Sequence, residues 1–362
     1  MPSLVVAIGP LPPPTHGFSE NTKIITDRLR GRCRLRVVDT SPGSPRRSPL
    51  YYARRVWREV RGGWELLRGV TAPTRRTYLP AAGAGGLLFT VLHAGIARLA
   101  GYGIAVHHHS FAYIEERSAL MGLLVRFAGP EAVHIFLCDV MRRRFEGQYG
   151  ACRNGMIVSN AFYIRANLAR ERTAPDSGVL GVGHMSNLSH EKGLDDFLDL
   201  LRALRQAGIA FRGVLAGPAA TPAAAEAIAA AQRELGAALD YRGPVYGEAK
   251  AAFFGDIDVF VFPTRYKFEA QPNVVFEAFS FGVPVIAFAR GCVASDLPET
   301  CGTAVPVGAD FIAAARARLA AWSADPAALA ASARAARQAA LSACDDSERS
   351  VEEMLAAISG SR

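Results

Sequence analysis

Short, almost purely apolar segments recur along the chain, and a longer stretch with helical spacing follows most of them. In Val259–Phe262, for example, all four consecutive residues are apolar. A strand of this kind must be covered on both faces, so the pattern predicts parallel sheets flanked by helices. This feature restricts the chain to the α/β class.

The predicted elements alternate along both halves of the chain. The strands are expected at Leu4–Ile8, Leu35–Val38, Leu87–Leu92, Ile104–His108, His134–Leu137, Met156–Val158, Val179–Val182, Phe211–Ala216, Ala238–Arg242, Val259–Phe262 and Val283–Phe288. The clearest helices are Gly193–Gln206 and Pro222–Leu235, and the helical stretch Ile312–Leu341 is interrupted at Asp325-Pro326. A further helix is expected to start at Asp345, with acidic residues in its first turn.

The length of 362 residues exceeds what one ordinary hydrophobic core accommodates. It fits two domains of about 150–180 residues each. The segment Arg165–Ser177 is charged and irregular and is predicted to be the linker. The domains are therefore expected at residues 1–170 and 177–344.

Positive charge is concentrated in the first half of the chain. Residues 1–178 contain 25 Lys and Arg against 12 Asp and Glu, a net charge of +13, and the rest of the chain has a net charge of −5. A half-molecule of this charge attracts an anionic membrane, nucleic acid or phosphorylated substrates. The arginines are scattered and no nucleic-acid recognition motif is present, so nucleic acid is not the expected partner, and a basic nucleic-acid-binding protein is kept only as an alternative.

Tyr51–Arg68 has the pattern of a basic amphipathic helix with two tryptophans, and its arginines include Arg54, Arg55, Arg58 and Arg61. Such a helix can lie on an anionic bilayer. The alternative is a helix packed on its own sheet with solvated arginines. No segment has the roughly 18 apolar residues of a membrane span, and Met1–Gly9 lacks the basic region of a signal peptide. The expected location is cytoplasmic, peripherally on the inner face of the plasma membrane.

Two glutamates, Glu269 and Glu277, stand eight residues apart after the apolar strand Val259–Phe262. In open α/β sheets, ligands bind beyond the C-terminal ends of the strands, where helix N-termini offer free N–H groups. One carboxylate can accept two hydrogen bonds from a ribose diol, and the other can reach a sugar hydroxyl. Alternatively, Glu277 complements the helix dipole in a first turn and Glu269 is a solvated loop charge.

The next segment, Ala278–Ala287, has the pattern of a helix ended by Gly282 and followed directly by a strand. With the two glutamates, it resembles the donor-binding core of the retaining, metal-independent glycosyltransferases of the "group 1" family (glycosyltransferase family 4-like). That family carries E-x7-E and then an EA…G-x-PV-(I/V)-A segment. The resemblance implies the GT-B fold, with two Rossmann-like domains facing across a cleft. It also implies that the first domain binds the acceptor and the second domain binds the nucleotide-sugar donor, and that the tail, residues 345–362, crosses back to the first domain.

The resemblance assigns segments of the second domain to particular groups of the nucleotide-sugar donor. Glu277 matches the residue that holds the ribose, and Glu269 matches the residue beside the transferred sugar. The residues whose backbone N–H groups face the sugar or diphosphate correspond to Gln271, Pro272, Asn273 and Val274. Val245 and Tyr246 match the segment that borders the nucleobase.

A second landmark, Val182–Gly193, resembles the family's "VGR…KG" stretch, in which an arginine and a lysine neutralise the donor diphosphate. Lys192 matches the lysine. The arginine position, five residues earlier, holds Asn187, which can donate a hydrogen bond but supplies no charge. The candidates for a replacement cation are His184, His190 and Arg265.

In the first domain, the segment after the first strand resembles a family loop with two glycines. Gly17 matches the first glycine, and Phe18 stands at the second. The family commonly places a histidine at the end of a later strand, close to the sugar; His109 is the first choice here and His107 or His108 the second. Only His107 and His109 could share a ligand sphere, and no nearby Cys or carboxylate pair completes it, so no metal is expected.

The expected function is therefore transfer of a sugar from a UDP- or GDP-sugar to a glycan or a polyprenyl- or other lipid-linked sugar, with retention of anomeric configuration and no cofactor. The setting expected from the family is bacterial cell-surface polysaccharide or glycolipid biosynthesis. A nucleotide-sugar 2-epimerase of the same fold is the alternative, and it would need acid and base carboxylates in the cleft. The sequence leaves open the base, the sugar, the linkage and the oligomeric state.

Overall fold

A computed structural model describes residues 3–41, 49–81, 83, 85–170 and 178–360. The chain divides into two compact units. Unit 1 comprises Met1–Tyr163 and Asp345–Arg362, and unit 2 comprises Ile164–Cys344. Of the predicted linker, residues 171–177 lie outside the described residues.

Unit 1 is built on a parallel six-stranded sheet with the strand order β2-β1-β3-β4-β5-β6. Its strands are β1 (Leu4–Gly9), β2 (Arg34–Asp39), β3 (Arg75–Ala81), β4 (Gly103–His108), β5 (Val133–Phe136) and β6 (Asn154–Ile157). Its helices are α1 (Gly17–Leu29), α2 (Pro49–Arg68), α3 (Gly86–Leu99), α4 (Ala112–Glu115), α5 (Ala119–Ala128) and α6 (Asp139–Tyr149).

Unit 2 repeats this plan, with the strand order β12-β11-β10-β7-β8-β9 and every pair parallel. Its strands are β7 (Leu180–Met185), β8 (Phe211–Ala216), β9 (Leu239–Tyr241), β10 (Val259–Phe262), β11 (Val285–Phe288) and β12 (Gly302–Val305). The remaining helices are α7 (Leu194–Gln206), α8 (Pro222–Leu235), α9 (Glu248–Gly255), α10 (Asn273–Ser280), α11 (Val293–Asp296), α12 (Phe311–Ala324) and α13 (Pro326–Ser359).

Each sheet has its own hydrophobic core. In unit 2, α7 and α12 pack on the strands through residues such as Leu201, Val261 and Trp322. In unit 1, the end of α13 contributes Met354 and Leu355 to the core beneath β1 and β3. The predicted α/β fold with two Rossmann-like domains is thus confirmed.

Three predictions about the elements were wrong. Leu87–Leu92 is helical and belongs to α3, because a short, mostly apolar run gives no periodicity that separates a buried helix from a buried strand. The strand that the sequence pattern did not predict is β3, whose sequence begins with two arginines and contains Pro80. The expected helix start at Asp345 does not occur, since α13 continues through that position without a break.

Candidate functional site

In unit 2 the strand order reverses between β7 and β10, the first and fourth strands of its sheet. A crevice opens beyond the C-terminal ends of two strands related in this way, and ligands of open α/β sheets bind there. The loop after β7 carries Lys192, and the loop after β10 carries Glu269. The topology therefore brings together two predicted site residues that are 77 positions apart in the chain.

A glycine allows the loop after β7 to contact the loop after β10. Gly193 has a φ of +81°, and a Cβ on it would lie 2.2 Å from the Pro263 carbonyl oxygen at the end of β10. The backbone N–H of Arg265 also donates to the Glu191 carbonyl at 2.8 Å. A residue with a side chain at position 193 would push the loops apart, which explains why glycine follows Lys192.

Glu269 is paired with Lys192. The Lys192 ammonium lies 2.7 Å from Glu269 Oε2, and the Thr264 hydroxyl donates to the same oxygen at 3.2 Å. Lys192 also lies over the Tyr266 ring, 4.7 Å from its centroid. Because the Glu269 side chain is only 12% exposed, the interpretation of Glu269 as a solvated loop charge is wrong.

Glu277 lies in the second turn of α10, and its side chain is 3% exposed. Its carboxylate accepts a hydrogen bond from the ammonium of Lys250 on α9. The interpretation of Glu277 as a first-turn residue is therefore wrong, because α10 starts at Asn273. Sequence reasoning missed Lys250, since nothing in the local pattern of α9 indicates which carboxylate the folded chain brings to it.

The segment between the two glutamates ends in the N-terminus of α10, with Pro272 as the residue that precedes the helix. The backbone N–H groups of the first turn of a helix have no partner within that helix and face outward as hydrogen-bond donors. Gln271 is buried beside this turn, and its amide donates to Asp296 at 2.8 Å. Burial raises the pKa of Asp296 to about 7. Asp296 is a second residue that the sequence did not reveal.

Part of unit 2 is similar to a known family. Residues 178–322 match the family model described as "Glycosyl transferases group 1". The matched region lies within unit 2 and is called the group 1 domain below. A search by sequence among curated proteins finds no match.

Solved structures resemble the whole chain. HepE from Anabaena, solved in complex with UDP, is 15% identical, with a TM-score of 0.69 over 96% of this chain and 99% of that one. Sucrose-phosphate synthase from Thermosynechococcus elongatus is 15% identical, with a TM-score of 0.67 over 97% of each chain. The lipopolysaccharide outer core galactosyltransferase WaaB is 12% identical, with a TM-score of 0.67 over 98% and 99%. At these identities the likeness identifies the fold, which is GT-B.

The group 1 domain has Asn187 exposed in the loop after β7. Of the three candidates for the missing cation, His184 is neutral near pH 7, because burial lowers its pKa to about 4. His190 Nδ1 lies 2.6 Å from Asp195 Oδ2. Arg265 donates two hydrogen bonds of 2.6 Å to the buried Asp196. His190 and Arg265 are thus each paired with an aspartate, whereas Lys192 contacts Glu269 and Lys250 contacts Glu277.

The predicted nucleobase residues of the group 1 domain lie between β9 and α9. Tyr246 is exposed and Val245 is partly buried. The backbone of the segment is anchored by a hydrogen bond from Ala249 N–H to the Tyr246 carbonyl. The structure leaves the Tyr246 ring accessible to a planar ligand.

In unit 1, the predicted glycine segment and the histidine run meet. Gly17 and Phe18 form the first turn of α1. The Phe18 ring lies 4.8 Å from the ring of His109, measured between centroids. Burial lowers the pKa of His109 to about 3, so its imidazole is neutral at pH 7.

The other two histidines of the run have different surroundings. His108 is inside the unit, where its Nε2 lies 3.0 Å from His134 Nδ1 and its ring stacks on Phe136. His107 bonds to the Tyr78 hydroxyl at 2.8 Å and lies on the same side of β4 as His109, with 4.0 Å between ring centroids. Across the described residues, no three His, Cys, Asp or Glu side chains converge as metal ligands would.

The predicted amphipathic helix is α2, and its apolar side chains face solvent. Trp57 is 69% exposed and Trp64 is 60% exposed. The two tryptophans lie on the side of α2 opposite the buried Glu59 and Leu66. Further apolar residues of α2 are exposed (Tyr52, Val56, Val60 and Leu67). The helix itself packs on the sheet of the unit, as the alternative has it, through residues such as Gly62 and Leu66, while these six apolar side chains stay exposed. None of the helices in the described segments is both long enough and apolar enough to cross a bilayer.

Proposed function

We propose that this chain is a retaining, metal-independent glycosyltransferase that takes a UDP- or GDP-sugar and transfers its hexose to a glycan or a lipid-linked sugar. The observation that carries the proposal is the pair of glutamates around the N-terminus of α10, each held by a lysine at the switch point of a group 1 domain. The setting we propose is bacterial cell-surface polysaccharide or glycolipid biosynthesis.

Each group of the donor is assigned to residues whose chemistry suits it. Glu277 accepts the ribose hydroxyls, because a carboxylate has about four acceptor positions and can hold Lys250 at the same time. Lys192, Asn187 and the N–H groups at the start of α10 stabilise the charge of the leaving diphosphate. The nucleobase lies against Val245 and Tyr246.

Glu269 binds the hydroxyls of the transferred sugar. His109, with Phe18 beside it, is the residue of unit 1 that the group 1 resemblance assigns to the same sugar. Retention follows a same-face route in which the leaving phosphate accepts the proton of the acceptor hydroxyl, as the group 1 resemblance suggests.

UDP-sugars are the first donors to test. HepE has been solved with UDP, with UDP-glucose, and with UDP and glucose. That protein has the same fold, and Glu277 and Lys192 provide a carboxylate and a cation of the kind that a ribose and a diphosphate require.

In a transfer assay with UDP-glucose and related donors, we expect Glu269→Gln and His109→Gln to lose most of their turnover and to keep the native affinity for free UDP. The reason is that both side chains contact the sugar and neither contacts the nucleotide. Release of UDP, measured with and without acceptor, gives turnover, and calorimetry gives affinity. Glu226→Gln, an exposed glutamate on α8, is the matched control.

Normal turnover in both variants at saturating donor, together with weaker UDP binding, would reverse these assignments. A chelator is the second arm of the assay. The proposal requires full activity in its presence, and activity that is abolished and then restored by a divalent cation contradicts it.

We also propose that unit 1 docks on an anionic membrane through the exposed face of α2. Tryptophan is favoured at the bilayer interface, and Arg54 and Arg61 are exposed beside the apolar face. Arg55 and Arg58 are partly buried, and Arg58 is paired with Asp39 at 2.7 Å, so they contribute less to such a surface than their sequence positions indicate.

Sedimentation with vesicles tests this docking. We expect native protein to bind anionic but not neutral vesicles, and we expect Arg54→Glu combined with Arg61→Glu to bind at least about 30-fold more weakly, at about 1 kcal/mol for each basic residue lost. Trp57→Gln with Trp64→Gln should also weaken binding. Arg233→Glu with Arg334→Glu, which makes the same charge change at exposed positions of unit 2, should match native protein. An equal loss of vesicle binding in the two arginine double variants would contradict docking through a specific face of unit 1.

A further inference from the structure

The segment that follows Glu269 is held in place by the turn and the short helix after β11. We call this segment, residues 269–272, the donor loop, because it joins Glu269 to the start of α10. In the sheet, β11 is the neighbour of β10, so the chain segments that leave the two strands lie side by side at the same edge. The contacts between them are made by Gly291, Cys292 and Asp296.

Two backbone contacts turn carbonyl groups of the donor loop toward the turn after β11. The Cys292 N–H donates a hydrogen bond of 2.8 Å to the Ala270 carbonyl. Gly291 has a φ of +55°, and a Cβ on it would overlap the carbonyl oxygens of Glu269 and Ala270. Glycine at this position therefore lets the two backbones approach each other.

The direction of these carbonyls determines where the neighbouring N–H groups of the donor loop point. In a planar trans peptide, the C=O of one residue and the N–H of the next point in opposite directions. The carbonyls of Glu269 and Ala270 face the turn after β11, so the N–H groups of Ala270 and Gln271 point away from it. Two backbone donors next to Glu269 are thus aimed by contacts on the opposite side of the loop.

Asp296 adds a side-chain contact to this backbone arrangement. Its Oδ2 accepts a hydrogen bond of 2.8 Å from the Gln271 side-chain amide. Asp296 is the last residue of α11, and its own N–H donates to the Cys292 carbonyl at 2.9 Å. The residue that binds Ala270 and the residue that binds Gln271 therefore belong to one helical turn.

The carboxyl group of Asp296 is in a position that an acid does not favour. Burial raises its pKa to about 7, and the hydrogen bond from Gln271 is the one interaction that acts in the opposite direction. A carboxyl group removed from water without a cationic partner destabilises the fold more than an apolar side chain of the same size. Packing alone thus does not account for an aspartate here, whereas an acceptor for the Gln271 amide does.

We propose that Asp296 is a positioning residue for the donor sugar, which acts through Gln271 by fixing the donor loop so that its N–H groups meet hydroxyl groups of the transferred sugar. The inference rests on the proposed function, because that function assigns the region beside Glu269 to the sugar. The N–H groups that we assign to the diphosphate belong to α10, which starts at Asn273 and lies beyond the segment that Asp296 holds. Loss of Asp296 should therefore affect the nucleotide sugar more than the free nucleotide.

Asp296→Leu removes the acceptor and keeps a side chain of similar size. Calorimetry compares UDP-glucose with UDP and GDP-mannose with GDP, and the pair that native protein binds is used for the variants. We expect Asp296→Leu to bind the nucleotide sugar about tenfold more weakly and the free nucleotide within about twofold of native protein. Asp296→Asn, whose amide oxygen still accepts from Gln271, should recover most of the loss. Glu299→Leu, which removes an exposed carboxylate just after α11, is the matched control.

Gln271→Leu tests whether Asp296 acts through Gln271. This variant should show the same loss for the nucleotide sugar, and the double variant with Asp296→Leu should lose no more than either single variant, because both remove one interaction. A loss in the double variant equal to the product of the single losses contradicts action through Gln271. Gln271→Leu also makes the comparison of nucleotide sugar and free nucleotide if a thermal melt shows that Asp296→Leu is not folded.

The outcomes separate this inference from the proposed function. If native protein binds and transfers the sugar while Asp296→Leu has native affinity for the nucleotide sugar, or loses affinity equally for the nucleotide sugar and the free nucleotide, the positioning role is overturned and the proposed function stands. If native protein binds neither nucleotides nor nucleotide sugars, the proposed function fails, and the role of Asp296 fails with it.

Discussion

Replacing Lys192 with alanine should lower the rate of sugar transfer by about 10²- to 10³-fold, the range for removing one group that stabilises developing charge in an enclosed site. Lys192 is the cation that the switch-point topology brings to the predicted diphosphate, and it is 2.7 Å from Glu269. Its loss also leaves Glu269 without its ion-pair partner. The measurement is steady-state turnover with the best donor found in the transfer assay.

Two controls test whether the effect of Lys192→Ala comes from the loss of the lysine charge at the diphosphate. Affinity for the nucleoside diphosphate should fall, and affinity for the corresponding nucleoside should stay native, because only the diphosphate meets the lysine. Lys267→Ala, an exposed lysine two residues before Glu269, should behave like native protein. Native turnover in Lys192→Ala, or an equal fall in affinity for nucleoside and nucleoside diphosphate, contradicts the assigned role.

Glu277→Ala should weaken nucleoside diphosphate binding by about 1.5–3 kcal/mol, or about 10- to 150-fold, as expected for lost hydrogen bonds to a charged group. The carboxylate is 3% exposed and fixed by Lys250, so it is held in place before a ribose arrives. Calorimetry with UDP and GDP measures the change. Glu226→Ala is the matched control, and a thermal melt of each variant checks that the group 1 domain is folded.

Unchanged affinity of Glu277→Ala for both nucleotides and for the nucleotide sugars would rule out the ribose assignment. A loss confined to the nucleotide sugar would instead move Glu277 to the sugar, where Glu269 is now assigned.

Much of the donor side could be predicted from the sequence, because its signals are local. The spacing of Glu269 and Glu277 and the lysine-glycine step at Lys192 are read directly from short segments. The fold then adds only that the loops after β7 and β10 are adjacent, which follows from parallel α/β topology. The loop after β1 and the end of β4 likewise bring Phe18 to His109.

The missed residues depend on packing between distant segments. Lys250 meets Glu277 across 27 positions, and Asp296 meets Gln271 across 25. Periodicity within a single helix carries no information about such pairs.

The errors in the predicted elements have a related cause. The apolar run in α3 fits a buried strand as well as a buried helix, and tertiary contacts decide between them. The strand β3 was not predicted because it begins with two charged residues, Arg75 and Arg76. Their side chains donate hydrogen bonds to backbone carbonyls of other segments, such as Ala100 and Ala357.

The central claim is that the crevice beside Lys192, Glu269 and Glu277 binds the nucleoside diphosphate part of a sugar donor. Calorimetric titration of the native protein with UDP and with GDP tests it most directly. The account predicts that one of the two binds at a single site per chain, more tightly than its nucleoside, and that Lys192→Ala and Glu277→Ala each weaken this binding. Absence of binding by both nucleotides, or binding that neither substitution changes, would contradict it.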